Sequence, residues 1–200
     1  TAFDFDATAS DSVTVDLQNA DPVTTDDAFT LGDTGPAVSG NLFADNGNGS
    51  DSDANGDLLS VGAVNGASVN VGVPLLLASG ALVTVNSDGT FTYDPNGAFD
   101  FLAEGFTGQD SFIYTAEDGF GGSATSTVNL TLTGSQDGDD VAILTGLDDT
   151  LSGGVGNDDI NGSAGNDTLY GDEGDDRLVG AAGADVLHGG EGSDFLGGGN

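Results

Sequence analysis

The amino-acid sequence predicts an all-β protein in two parts, and three observations predict it. From Gly153 the chain repeats every nine residues, five times in register: GGVGNDDIN, GSAGNDTLY, GDEGDDRLV, GAAGADVLH and GGEGSDFLG. Upstream, about 22–135 is rich in Val, Thr and Phe, with turn signals every eight to twelve residues, the pattern of a β-sandwich. No segment shows the period of an amphipathic helix.

In chain order, residues 1–21 come first. Ser12-Val13-Thr14-Val15-Asp16-Leu17 resembles Ser126-Thr127-Val128-Asn129-Leu130-Thr131-Leu132 further on. A lone strand must pair with something, so 1–21 is expected to be the last strand of a preceding module or an arm that pairs with another subunit. Either way the 200 residues are expected to belong to something longer. The sandwich is expected over 22–135. Leu58 to Val64 and Ala67 to Val73 read as strands. Ala81-Leu82-Val83-Thr84-Val85 and Thr90-Phe91-Thr92-Tyr93 alternate around Asn86-Ser87-Asp88-Gly89, a hairpin around an Asp-Gly turn. Ser111 to Thr115 is a strand, Gly119-Phe120-Gly121-Gly122 a turn, and Thr125 to Leu132 the last strand, with Val128, Leu130 and Leu132 on one face.

The repeats, in an expected domain 136–200, carry the chemistry. Gly opens each unit at Gly153, Gly162, Gly171, Gly180 and Gly189, and fills the fourth position at Gly156, Gly165, Gly174, Gly183 and Gly192. Asp fills the sixth at Asp158, Asp167, Asp176, Asp185 and Asp194, and an aliphatic residue the eighth. Glycine permits the sharp bends that aim backbone carbonyls inward. A carboxylate beside several carbonyls is a donor set for calcium, which takes six to eight oxygens. The last three residues of a unit alternate polar and apolar, as a very short strand does. One such unit cannot bury its single aliphatic residue, but stacked units can. A weaker unit, LTGLDDTLS at 144–152, keeps Asp149 and Leu151 in phase and reads as a capping turn. Ser163, Asp172 and Ala181 replace Gly at position two.

Composition agrees. There are 34 acidic residues, 30 of them Asp, against one basic residue, Arg177, for a formal charge of −33. This excludes nucleic-acid backbones and anionic membrane surfaces as partners and predicts dependence on cations. The preference for Asp suits short, rigid loop ligands, with adaptation to high salt as the alternative. No Cys is present, so disulfides contribute nothing. Leu75-Leu76-Leu77-Ala78 is far too short to span a bilayer, and Thr1-Ala2-Phe3-Asp4 has neither the basic nor the apolar stretch of a signal peptide.

The nonapeptides resemble the RTX calcium-binding repeats of secreted bacterial proteins. The resemblance implies a parallel β-roll with two units per turn and several calcium ions. It pairs Asp149 with Asp167, Asp158 with Asp176, Asp167 with Asp185 and Asp176 with Asp194. The upstream segment resembles the cadherin-like, immunoglobulin-type modules of bacterial surface adhesins, VCBS-type repeats included. It does so through Asp26-Asp27, Asn41-Leu42-Phe43-Ala44-Asp45, Asp51-Ser52-Asp53-Ala54-Asn55-Gly56-Asp57, the hairpin, Gly108-Gln109-Asp110-Ser111-Phe112-Ile113-Tyr114 and Glu117-Asp118-Gly119. The implied fold is an Ig/cadherin-like β-sandwich followed by an RTX β-roll.

Further acids are candidate ligands. Asp51, Asp53 and Asp57 begin like an EF-hand loop, but Gly62 stands where its bidentate Glu belongs. A looser cage with Asp45 or Asp118 is the alternative to a solvated loop. At the junctions, Asp21, Asp26 and Asp27, and then Asp137, Asp139 and Asp140, could share calcium, as the cadherin resemblance suggests.

No catalytic set stands out: His188 is the lone His, at a variable repeat position, and Lys is absent. Gly153-Gly154-Val155-Gly156 lacks the Lys and the strand–helix context of a phosphate loop. The reading is a non-enzymatic structural or adhesive module of a secreted surface protein, folded and stiffened by calcium after export, which accompanies type I secretion in related proteins. The alternatives are a subunit of a calcium-stabilised fibre or surface layer and the non-catalytic secretion tail of an exported hydrolase. Its partners are expected to be neighbouring modules or identical subunits, without insertion into a membrane; the sequence names no adhesion target.

Overall fold

The computed structural model describes residues 18–35 and 37–199. Regular structure there is β throughout, apart from one turn of 3-10 helix at Ser68–Asn70. Eight strands build the first part: β1 (Asp27–Gly32), β2 (Val38–Asn41), β3 (Ser60–Val64), β4 (Leu75–Leu76), β5 (Leu82–Val85), β6 (Thr90–Asp94), β7 (Thr107–Glu117) and β8 (Ser123–Thr133). They form two four-stranded sheets, ordered β1-β8-β7-β3 and β2-β6-β5-β4. Neighbours are antiparallel except β1, which runs parallel to β8.

Alternation decides which face is buried. Phe112, Tyr114 and Ala116 of β7 and Val128, Leu130 and Leu132 of β8 turn inward and are buried. They meet Val83, Val85, Phe91 and Tyr93 of the other sheet in one core. The Phe91 ring links the layers, 5.0 Å from Phe29 and 6.0 Å from Phe112. The expected hairpin is present as β5 and β6. Asp88 Oδ1 accepts the Thr90 N–H at 3.0 Å, and Gly89 turns with φ +83°.

The expected strand Ala67 to Val73 is not formed. Asn65 and Gly66 take φ of +48° and +75°, and Gly72 takes +76°. These bends leave room only for the 3-10 turn, whose Asn70 side chain donates to the Val64 carbonyl at 2.9 Å. Local patterning did not reveal β1, β2 or β4. Most of the segment expected to pair in 1–21 lies outside the described residues. The part that is described, from Gln18, runs as irregular chain, with Asn19 Nδ2 donating to Asp118 at 2.6 Å and the Ala20 N–H to Asn55 Oδ1 at 2.7 Å.

Seven strands build the second part: β9 (Val141–Ile143), β10 (Thr150–Val155), β11 (Asp159–Asn161), β12 (Thr168–Glu173), β13 (Arg177–Val179), β14 (Val186–Glu191) and β15 (Phe195–Gly197). They lie in two parallel sheets, β10-β12-β14 and β15-β13-β11-β9. Leu151 pairs with Leu169 and Leu169 with Leu187; Ala142 pairs with Ile160, Ile160 with Leu178 and Leu178 with Leu196. Each step is eighteen residues, so two nonapeptides make one turn, and the position-eight residues stack between the sheets. Ile160, Leu169 and Leu178 are wholly buried.

One earlier unit precedes those read from the sequence. SQDGDDVAI, residues 135–143, places Gly138, Asp140 and Ala142 at positions four, six and eight, and β9 is its strand. Its interior residue is small because the sandwich covers it: Ala103 and Phe106 pack on the same cluster as Ala142. The Val141 N–H donates to the Phe101 carbonyl at 2.9 Å. The sandwich therefore closes one end of the roll's core.

Candidate metal centre

The loops that turn the chain from one roll sheet to the other hold the Asp ladder. Residues 156–158 link β10 to β11, and residues 162–167 link β11 to β12, so successive units turn on opposite edges. One edge carries Asp140, Asp158, Asp176 and Asp194; the other carries Asp149, Asp167 and Asp185.

Both recurring glycines of each unit are explained by close approach. At position four, Gly156, Gly165, Gly174, Gly183 and Gly192 have φ between +125° and +147°, where side chains are disfavoured. A Cβ on Gly174 would lie 1.7 Å from the Gly156 carbonyl oxygen, one turn below. At position one, a Cβ on Gly153, Gly162, Gly171, Gly180 or Gly189 would lie 2.0 to 2.4 Å from Oδ2 of the Asp in the same unit. Glycine there makes the space that the carboxylate occupies. Position two is also left-handed: Ser163, Asp172 and Ala181 all sit near φ +72°.

Four of the ladder carboxylates are half used. Oδ1 of Asp158, Asp167, Asp176, Asp185 and Asp194 accepts the N–H of Asp140, Asp149, Asp158, Asp167 and Asp176, at 2.8 to 3.1 Å. Oδ2 of Asp158, Asp167, Asp176 and Asp185 is buried without a hydrogen-bond partner. Asp140 leaves both oxygens buried and unpartnered. A buried ionised oxygen without a partner is costly. Burial raises the Asp140 carboxyl from its usual 3.8 to about 7, helped by Asp158, Asp33, Asp137 and Asp139. Burial likewise raises Asp158 and Asp176, each with its ladder neighbours adding repulsion. Among the described residues no group of three or more His, Cys, Asp or Glu side chains is arranged to hold a metal by itself. The donor set is thus one or two carboxylates per turn with backbone carbonyls beside them, which is oxygen chemistry that calcium accepts.

A second ladder escaped the sequence reading. At position five, Asp139 and Asp148 accept the N–H of Asn157 and Asn166 at 2.7 and 2.8 Å. Asn157, Asn166 and Asp175 in turn accept those of Asp175, Ala184 and Ser193 at 2.8, 3.0 and 2.8 Å. The recurring Asp or Asn at position five was the available signal. Asp139, a junction candidate by sequence, therefore serves as the first step of this hydrogen-bonded stitch.

In the sandwich the candidate acids are mostly engaged with backbone and side-chain donors. Asp118 Oδ1 accepts the Phe120 and Gly122 N–H groups at 2.7 and 3.0 Å, and its carboxyl is held below the usual range, first by the Asn19 side chain. Asp45 Oδ1 accepts from Gly47 and Gly49 at 3.1 and 3.0 Å. Asp53 Oδ1 accepts from Asn55 at 2.7 Å and from the Asp57 N–H at 3.4 Å, with its Oδ2 buried and unpartnered. Asp26 accepts the Thr127 N–H at 2.8 Å, Asp137 the Thr34 hydroxyl at 3.3 Å, and Asp21 is exposed. Asp27 and Asp51 come together beneath Tyr114, whose hydroxyl donates to Asp51 at 2.5 Å. Asp27 takes Asn46 Nδ2 at 2.8 Å, leaves Oδ2 unpartnered and is pushed up to about 6, chiefly by burial.

Two family models match the chain. One describes the bacterial cadherin-like domain and matches residues 19–134. The other describes the RTX calcium-binding nonapeptide repeat and matches residues 135–169, 144–178 and 170–200. The chain belongs to the bacterial cadherin-like domain family and carries an RTX array behind that domain. Comparison with curated proteins finds no match. The RTX array makes calcium the ligand, with several ions along it. The repeats are structural and calcium-binding, and neither family is a catalytic one. His188 fits that picture: it is exposed on the cadherin-like protein's roll and stacks on Tyr170 at 4.8 Å. No helix of the described residues is long and apolar enough to cross a membrane.

Proposed function

We propose that this calcium-binding module works outside the cell as a structural and adhesive segment of a secreted bacterial surface protein, and that calcium drives the roll to fold and stiffen after export. The observation that carries the reading is the row of half-used ladder carboxylates. Four position-six residues keep Oδ2 buried and unpartnered beside a glycine, and Asp140 keeps both oxygens so. Asp149, Asp158, Asp167, Asp176, Asp185 and Asp194 are the residues proposed to hold the ions, joined by Asp140. Without cations these acids repel one another across each turn, so binding and folding are coupled. A chain left unfolded where calcium is scarce can be threaded out and then folds where calcium is plentiful. The test is a calcium titration of the chain followed by circular dichroism, with NaCl of matched ionic strength as control. Calcium is expected to add β-structure that NaCl does not; an equal gain with NaCl would assign the acids to salt adaptation instead.

A further inference from the structure

The outward residues of the roll sheet β15-β13-β11-β9 form two rows across its strands. Strand register aligns Val141, Asp159, Arg177 and Phe195 in one row, and Ile143, Asn161, Val179 and Gly197 in the other. Alternation turns both rows away from the stacked residues between the sheets. The first row reads apolar, acidic, basic, apolar. Arg177, the only basic residue of the chain, stands in it. Its guanidinium donates to Asp159 at 2.6 Å and lies 5.7 Å from the centre of the Phe195 ring. Both charged side chains are 52 % exposed, and Val141, Ile143 and Phe195 are 54, 70 and 58 % exposed. The outward rows of the other roll sheet, Thr150-Thr168-Val186 and Ser152-Tyr170-His188, pair no acid with a base.

We propose that this face docks a second copy of the chain, face to face, about a two-fold axis that runs along the strands between β11 and β13. That axis keeps strand direction and reverses strand order, so the first row lies on its own reverse. Val141 meets Phe195 of the partner subunit, and Asp159 meets the partner's Arg177. The four central charges then stand at the corners of a rectangle, with opposite signs at adjacent corners. Apolar ends meet apolar ends and leave water. A two-fold interface needs such self-complementarity. The other in-plane two-fold, along the stack of turns, would set Arg177 on the partner's Arg177, so charge selects the first. Docking rests on the calcium reading and goes beyond it, because the face forms only in the folded roll. Calcium also lowers the charge of −33 that drives copies apart. The face is small, so association is expected to be weak and concentration-dependent.

The test is sedimentation equilibrium of the whole chain in saturating calcium over a range of concentrations, with circular dichroism on the same samples. The native chain is expected to pass from monomer to dimer as concentration rises. Arg177→Asp is expected to weaken association by about tenfold or more, because like charges then oppose across the face, while keeping the calcium-induced β-structure. Combining it with Asp159→Arg restores the alternation and is expected to restore the dimer. A native chain that folds with calcium yet stays monomeric, or forms particles larger than a dimer, overturns the docking and leaves the calcium reading standing. No calcium-induced β-structure overturns both. A dimer that Arg177→Asp leaves intact, or that the charge swap does not restore, overturns this face as the contact. Should the charge variants fail to fold, Phe195→Ser decides, since it keeps both charges: it is expected to weaken the dimer, and an unchanged dimer overturns the proposal.

Discussion

At the scale of single residues, the nonapeptide is governed by what glycine lacks. Gly174 combines φ +137° with a neighbouring carbonyl 1.7 Å from any added Cβ. Gly174→Ala is expected to cost on the order of 3 kcal/mol or more, through strain and a backbone clash that cannot relax without moving a turn. Position two is milder. Ala181 is left-handed at φ +72° but meets no such clash. Ala181→Gly should stabilise the roll by about 1 kcal/mol, since the strain it relieves exceeds the chain entropy that Gly adds to the unfolded state. Thermal melts in saturating calcium check both signs; equal effects would refute the distinction.

At the scale of elements, the roll runs two hydrogen-bonded rails side by side, one at position six and one at position five. They should separate on mutation. Sequence alone made Asp158 the start of its rail, so its loss would disturb one site. Asp140 precedes it, so Asp158→Ala is expected to disturb two sites, as Asp176→Ala does, and Asp194→Ala one. Isothermal titration gives the counts. Asn166→Ala should leave the calcium count unchanged. It strands the Ala184 N–H that Asn166 accepts at 3.0 Å, costing about 1 kcal/mol because this exposed group can turn to water. A lost ion in Asn166→Ala would show that position five is a ligand after all.

At the scale of the whole molecule, a formal charge of −33 opposes compaction, and pH and calcium act on the same carboxylates. Asp140 titrates at about 7 when folded against 3.8 when free, and Asp27 at about 6. A raised carboxyl means that the folded state holds its proton more tightly. That stability is complete below the free value and is lost as pH rises through the folded one. In chelator, where the roll is not folded, the melting temperature of the sandwich should fall from about pH 5 to about pH 8 as Asp27 ionises. In calcium the melting temperature of the roll should rise over the same range, because the cation needs the ionised form. Melting curves at both pH values, with and without calcium, check it; the same slope in both conditions would remove the ladder acids from calcium binding.

Local patterning was enough for the all-β class, the hairpin of β5 and β6, the middles of β7 and β8, and the position-six ladder. All of these are written in short-range periodicity: alternation along a strand, Asp-Gly at a turn, and nine residues per unit. Tertiary structure alone decided what depends on partners distant in the chain. β1 is a strand because β8, about a hundred residues on, lies parallel to it. Residues 67–73 look like a strand but bend at Gly66 and Gly72 into a 3-10 turn. The unit at 135–143 has lost its glycine at position one and its large aliphatic at position eight, so it does not read as a repeat. It folds as one because Ala103 and Phe106 of the sandwich fill the space that a larger residue would take. The same docking seats Ser135 on Asp33, a meeting that no spacing along the chain encodes.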